Sequence, residues 1–329
     1  MEITLDDVQF DIEAMTSQTY GNITIIPIKT ISTVSQDILT LKKGLDMGIV
    51  IVEECNPSTV NKVKVTNKAV TPLILVDGDE ITGAMQNRII NTTTLVPPKT
   101  TIEVSVSCTE QGRWHYHDED YWGLKNMTVK NAFESSDYIA NSRTRTAKHQ
   151  AIFEQRDFQS DVWSSISDLE CDISFKSKTS ALNDSYENLK SQQDDYLKHF
   201  KLQDNQCGLI AVVNNEIKGI EFFYTPSIYR QYHEKILRSY VIDEIADEKK
   251  GIENLPNDLE KIENEVRKVA EGISKSKFER SKGEGLGDNV RFSNKHGTGC
   301  ALIYEDNIIH MPYFKNLDFK KMHHGDMVY

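Results

Sequence analysis

The sequence predicts an α+β fold. Its N-terminal half is expected to be antiparallel and β-rich, a sandwich or partial barrel, followed by a helical middle segment and a smaller C-terminal α+β subdomain. Three observations predict this. Short β-branched runs bounded by polar or Gly/Pro residues repeat from Ile23 to Cys108. Between about Met127 and Phe200 apolar residues fall into helical spacing instead. Strand, turn, strand and helix signals then return from Cys207 onward. With 329 residues, 38% of them hydrophobic and 27% charged, the chain is long enough for one composite domain or two packed subdomains, and it is too apolar to be disordered. The expected segments of the composite domain are 1–124, 125–204 and 205–329.

In the first segment the expected strands are 23–28, 48–52, 63–65, 73–76, 88–96 and 101–108. Ser35 is placed to cap a helix over 36–45, where Ile38, Leu41 and Leu45 recur at helical spacing. The turn Pro97-Pro98-Lys99 predicts antiparallel pairing of the strands on either side. In the middle segment Ala181, Tyr186, Leu189, Tyr196, Leu197 and Phe200 mark helices or an ordered insertion. Asn214-Asn215 predicts a tight hairpin between strands 207–213 and 216–223. Thr225 as N-cap and Pro226 as first helical residue open a helix with a buried stripe of Ile228, Tyr232, Ile236, Tyr240 and Ile245, ending near Asp247. Asn257 with Glu260 matches a capping box for a second helix carrying Leu259, Ile262, Val266, Val269 and Ile273. Residues 274–288 read as a flexible connector, and strands 299–304 and 308–311 close the chain around Glu305-Asp306-Asn307.

Lys plus Arg total 38 against 50 Asp plus Glu, a formal charge of -12. Such a chain repels bulk nucleic acid and anionic membrane while leaving room for a local basic pocket. The start has no basic region followed by an apolar one, and no run is long enough to span a bilayer, so the expected address is the cytoplasm. Five scattered cysteines with no CxxC indicate neither a disulfide framework nor a thiolate zinc site. No Walker loop, GxSxG elbow or HExxH occurs. The glycines of Gly283 to Gly287 follow a predicted helix and precede a strand, the reverse of a dinucleotide loop, and read as a linker.

Two polar blocks are the candidates for chemistry. Asp77 to Arg88 lies between apolar strands; its glycines permit close approach, Glu80 is placed as a general base, and Gln86, Asn87 and Arg88 offer directional donors. The bland alternative is a solvated hairpin. In the second block Ile102, Val104, Val106 and Cys108 share one strand face, so Cys108 reads as a buried core thiol rather than a nucleophile. Glu110 continues on that face. An inward carboxylate needs a partner, for which Arg88 and Arg113 are the candidates. The same arginines suit a phosphate, with Trp114 stacking on a base. His115-Tyr116-His117 invites a metal reading, but the run Asp118-Glu119-Asp120 reads as a solvated loop and no metal is assigned. His310 and the His323-His324 pair lack ligand partners at diagnostic spacing.

Leu73-Ile74-Leu75-Val76-Asp77-Gly78-Asp79-Glu80, Gly83-Ala84-Met85-Gln86-Asn87-Arg88, Asn91-Thr92-Thr93 and Val106-Ser107-Cys108-Thr109-Glu110-Gln111-Gly112-Arg113-Trp114 resemble the ARPP-type domains, a family named for association with ADP-ribosylglycohydrolases and rhodanese-type phosphatases. Asp161-Val162-Trp163, Leu209 to Phe222 with Gly219 and Glu221, Leu237-Arg238-Ser239-Tyr240 and Gly299 to His310 extend the resemblance over nearly the whole chain. It implies an α+β protein, usually free-standing, placed among NAD and ADP-ribose utilising pathways by its neighbours rather than by a demonstrated activity. Two functions follow. In the first, the protein serves NAD/ADP-ribose-linked metabolism or prokaryotic defence and binds or processes a phosphate-bearing, nucleotide-like ligand. Glu80 and Glu110 are then catalytic, and Gln86, Asn87, Arg88, Asn91, Gln111, Arg113 and Trp114 bind the ligand. In the second, it is a non-catalytic, homo-oligomeric structural or regulatory protein of a defence or stress operon. Neither reading assigns a cofactor, and enzymatic activity stays open. The two part on whether Glu80, Arg88, Glu110 and Arg113 open onto a pocket or are sealed in mutual hydrogen bonds.

Overall fold

The structure, a computed structural model, describes residues 2–30, 37–56, 59–113, 132–252 and 255–316. The chain begins with β1 (Glu2–Leu5), β2 (Val8–Ala14), β3 (Gln18–Tyr20) and β4 (Ile23–Thr30). Next come β5 (Leu39–Thr40), α1 (Leu41–Asp46), β6 (Val50–Glu54), β7 (Lys62–Asn67), β8 (Leu73–Leu75), β9 (Asp79–Gly83), β10 (Arg88–Ile90), β11 (Thr94–Val96) and β12 (Thr100–Cys108). The middle holds β13 (Phe133–Ile139), α2 (Ser142–Phe153), α3 (Gln159–Asp172), α4 (Leu182–Asn188) and α5 (Lys190–Leu197). The last part is β14 (Gly208–Val213), β15 (Glu216–Phe223), α6 (Pro226–Lys249), α7 (Leu259–Ser274), β16 (Lys277–Lys282), β17 (Asp288–Ser293), β18 (Gly297–Tyr304) and β19 (Asn307–Lys315). The fold is α+β with a strand-rich N-terminal part, as the sequence predicts. Among the described residues no helix is long and apolar enough to cross a membrane.

The first and last described strands, β1 and β19, share one sheet. Its ten strands run β1-β2-β4-β14-β15-β19-β18-β17-β16, with β3 also on β4, so that Ile23 to Ile28 pair with Gly208 to Val213. Both faces of this sheet are covered. Leu209, Ala211 and Val213 turn toward α6, with Ile236, Tyr240 and Ile245, while Ile210 and Val212 turn toward α7, with Ile262, Val269 and Ile273. That double burial is why β14 reads as an unbroken apolar run rather than an alternating one. A six-stranded sheet, β13-β9-β10-β12-β7-β6, and a three-stranded one, β11-β8-β5, enclose a third core of Val52, Val65, Leu75, Ile81, Val104 and Val106.

Several local signals are obeyed. Asn214 and Asn215, at φ +51° and +63°, make the two-residue turn between β14 and β15. The Thr225 hydroxyl accepts from the Ile228 amide at 3.3 Å and starts α6 at Pro226. Others yield to tertiary context. Leu39 and Thr40 form a parallel pairing with Leu73 and Ile74, so α1 starts only at Leu41; Ser35 and Gln36 lie outside the described residues. The expected 88–96 strand divides at Asn91-Thr92-Thr93 into β10 and β11, which belong to different sheets. The strands flanking Pro97-Pro98-Lys99 do not pair: β11 lies on β8, and the turn carries the chain over to β12, pinned by the Asn67 amide on the carbonyls of Val96 and Pro97. Asp258, not Asn257, caps α7 by accepting from the Lys261 amide at 3.0 Å. Residues 277–282 are not a connector but the edge strand β16, whose Lys and Arg side chains hid a strand pattern carried by Phe278 alone.

One buried ionic cluster ties these layers together. Asp77 follows β8; its carboxylate accepts from Arg145 Nε at 3.2 Å, His149 Nε2 at 2.9 Å and the Lys148 ammonium, all on one face of α2. Arg145 also donates to Glu221 of β15, with Nη2 to Oε2 at 3.2 Å. The Asp77 amide donates to Thr93 Oγ1 at 3.0 Å, which is 2.7 Å from His310 Nδ1 of β19. Burial alone would raise Asp77, but Lys148, His149 and Arg145 hold it well below the usual carboxylate range. Burial likewise opposes Glu221, which Arg145 and His310 nevertheless lower, and it pushes His149 and His310 down toward the neutral imidazole. Two carboxylates thus face the Arg145 guanidinium and the Lys148 ammonium, the latter lowered from its ordinary value by burial. Gly78, at φ +79°, is required here, since a Cβ would lie 2.8 Å from the Arg145 side chain.

Asp77→Asn should therefore cost about 3–5 kcal/mol in urea denaturation, because it strands Lys148 in the interior. Adding Lys148→Met should recover part of that loss, a coupling readable from the double-mutant cycle.

Candidate functional site

The Asp77 to Arg88 block is a turn, a strand and a second turn rather than one loop. Pairing of Arg88 with Cys108 and of Ile89 with Glu80 lays it beside the Cys108 to Arg113 block. Along β9 successive side chains point to opposite faces. Asp79 turns to α6, accepting from Lys235 Nζ at 2.7 Å and Tyr232 Oη at 3.0 Å. Glu80 turns the other way, accepting from Thr109 Oγ1 at 3.1 Å and Asn183 Nδ2 at 3.2 Å. Ser136 Oγ accepts from the Tyr138 amide and from Asn183, each at 3.1 Å, which leaves its own proton for Glu80. All of these hydrogen-bond partners are neutral. Burial therefore dominates and pushes Glu80 up to about 7.

Glu110 has the opposite environment. Its Oε2 accepts from Arg113 Nη2 at 2.6 Å and the Asn87 amide at 3.1 Å, and its Oε1 from Thr179 Oγ1 at 2.9 Å. Burial opposes the charge, yet Arg113 outweighs it and holds Glu110 below its ordinary value. Arg113 also donates to the Ala84 carbonyl at 2.8 Å and to Asn87 Oδ1 at 3.2 Å, and Gln86 donates to the Glu110 carbonyl at 2.9 Å. Gln86, Asn87, Glu110 and Arg113 are thus one knot that fixes the turn before β10.

The remaining expected residues go elsewhere. Arg88 is fully buried, with Nη2 on both oxygens of Glu54 at 2.9 and 2.8 Å and Nη1 on the carbonyls of Thr59, Val60 and Lys62. It meets the same block as Arg113 but a different carboxylate. Asn91 belongs to the ionic cluster: its carbonyl accepts from Lys148 at 2.8 Å and its Oδ1 from Ser107 at 2.6 Å. Gln111 is exposed. Cys108 is buried, and burial raises its thiol. Trp114, the His115 to Asp120 run and the His323-His324 pair lie outside the described residues. Among the described residues no group of three or more His, Cys, Asp or Glu side chains is arranged to hold a metal ion.

Two adjoining cavities open at this block. A polar one of about 350 Å³ is walled by Thr82, Asn87, Glu110, Ser136 and Asn183, the last two standing between it and Glu80. Asp137 and Tyr138 form its border with a groove of about 590 Å³ along α6. That groove gathers Lys42, Lys190, Lys201, Arg230, Lys235 and Arg238 against Asp137 and Glu234. Lys42, Lys190, Lys235 and Arg238 have carboxylate partners, whereas Arg230 and Lys201 form no ion pair among the described residues. Arg238 Nη1 is buried without a hydrogen bond. Apart from Arg238, quoted only within a family-like stretch, sequence reasoning singles out none of these cations, nor Arg145, Lys148, His149, Ser136 and Asn183. The one available signal was Ser142 to Gln150, where polar residues at helical spacing occupy the face that packing should make apolar.

Residues 11–314 match the ARPP-1 family, described as the ARG and Rhodanese-Phosphatase-superfamily-associated Protein domain. No curated protein and no solved structure matches the chain significantly.

Glu80→Gln tests the environment of the buried carboxyl. Its folded value lies above the unfolded one, so the wild type loses stability as pH rises from about 4.5 to about 7 and the variant does not. Relative to wild type, Glu80→Gln should gain on the order of 2 kcal/mol between pH 5 and pH 8 in chemical denaturation.

Proposed function

The chain belongs to the ARPP-1 family, and on that premise we propose that it binds, and acts by proton transfer on, a phosphate-bearing, nucleotide-like ligand of ADP-ribose-linked chemistry. The observation that carries the proposal is a pair of carboxyls with divided protonation beside a cation-lined groove in a chain of net charge -12. Glu80 holds a proton near neutral pH and Glu110 stays ionised, the division that acid-base work on one substrate needs. Ser136 and Asn183 would pass the effect of Glu80 to the cavity, since they touch both. The phosphate is assigned to Arg230 and Lys201, with Arg238 Nη1 as a further donor, rather than to Arg88 and Arg113. Both cavities fall in the size range of small-ligand sites.

The sealing of Arg88 by Glu54 and of Arg113 by Glu110 supports a second reading, in which the polar blocks only brace the fold of a non-catalytic, homo-oligomeric protein. Titration calorimetry separates the two. ADP-ribose, NAD or AMP should bind the wild type, and Arg230→Ala or Lys201→Ala should weaken binding about tenfold at low salt without unfolding the protein. Heats indistinguishable from buffer for all three ligands would leave the bracing reading standing.

A further inference from the structure

A third cavity, separate from the two at the candidate site, lies toward the C-terminal end of α6, and its decisive group is Glu244. This side chain is 1% exposed, and neither carboxylate oxygen completes a hydrogen bond. It lines a cavity of about 410 Å³ floored by Tyr240, whose hydroxyl is bonded to Glu221 at 3.3 Å, with Ser142 and Thr146 of α2 on one side and Lys218 of β15 on the other. The neighbouring acids are all engaged. Asp243 accepts from Asn141 Nδ2 and Ser142 Oγ, each at 2.6 Å, and from Arg143; Asp247 pairs with Arg143 and Lys250. Glu248 accepts from Tyr196 Oη at 2.7 Å, and Glu216 pairs with Lys315 at 2.9 Å. Asn22 lies beside Glu244 and eases its charge, as does Lys218 at longer range, but burial prevails and pushes it up to about 7.

A buried acceptor left unmet beside an open cavity is costly unless something supplies N–H donors. Mutual repulsion with Asp247 and Glu248 favours a cation there, and Lys218 and Lys315 at the same cavity disfavour a polycation. We propose that this cavity binds a small organic molecule bearing one primary ammonium or guanidinium group, held by Glu244. The N–H donors of an ammonium or guanidinium match the two unmet carboxylate oxygens of Glu244. Since Tyr240 joins the cavity floor to Glu221, an occupant would rest directly on the ionic cluster that holds the layers together.

The test uses the full chain with n-butylammonium and n-butylguanidinium as probes, and tetramethylammonium as a cation without N–H donors. At saturation either probe should raise Tm by about 2–5 °C, tetramethylammonium should not, and Glu244→Gln should abolish the rise. A second readout covers the case in which the variant folds poorly. With carbon-13 in the glutamate side chains, Glu80 and Glu244 both titrate near 7; the one of the two that persists in Glu80→Gln is Glu244, and its midpoint should move down when n-butylammonium is added. No Tm rise with either donor cation, an equal rise with tetramethylammonium, an equal rise in a folded Glu244→Gln, or an unmoved midpoint would each overturn the proposal.

Discussion

The carboxylate of Asp77 is where three distant stretches of chain are made to meet. Taking it out of water costs several kcal/mol, and only the convergence of Lys148, Arg145 and His149 makes the burial tolerable. The requirement then propagates. Arg145 must sit close enough for two carboxylates, so Glu221 has to emerge from the buried, otherwise apolar end of β15 and Gly78 has to remain without a side chain. α2 cannot slide or rotate without breaking charge pairs that have no water to replace them. Because Asp77 precedes β9 by one turn residue, the same constraint fixes where Asp79 and Glu80 point.

From that anchor, strand alternation divides the work. Asp79 faces the cation and phenol of α6, Glu80 faces only neutral donors, and Glu110, reached across the neighbouring strands, faces a guanidinium. Two glutamates of the same intrinsic strength, Glu80 and Glu110, are thereby shifted in opposite directions by geometry alone. Both arginines of the two blocks are drawn onto protein carboxylates, Arg88 onto Glu54 and Arg113 onto Glu110. The cations with free capacity stand instead on α6 and the loop beside it, across Asp137 and Tyr138.

Much of this was legible in the residues. The Asn214-Asn215 turn, the Thr225-Pro226 helix start and the phase that buries Cys108 all follow from local chemistry that no distant contact overrides. What escaped reading depends on partners far along the chain. β9 looks like a polar loop because its carboxylates, Asp79 and Glu80, find mates on α6 and α4, and β16 looks like a linker because it is an edge whose charges face solvent. The proline turn has the same dependence: Asn67, thirty residues upstream of Pro97, holds its carbonyls, and β12 pairs with β7 rather than with β11. At the candidate site the acids were visible as a dense polar block, whereas Ser136, Asn183, Lys201 and Arg230 carry no motif and become meaningful only when α4, α5 and α6 are packed together.

The ten-stranded sheet also sets a schedule for synthesis. β4 is made early, yet both of its principal partners in the interior, β14 and then α6, come nearly two hundred residues later. At ribosomal speeds that is a wait on the order of ten seconds or more with Ile23, Ile25 and Ile28 uncovered. The six-stranded sheet, whose strands lie closer in sequence, has its members available first and offers a local nucleus. The nascent N-terminus is therefore a segment that chaperones have reason to hold, and truncations from the C-terminal side should release an adhesive strand rather than a smaller folded protein.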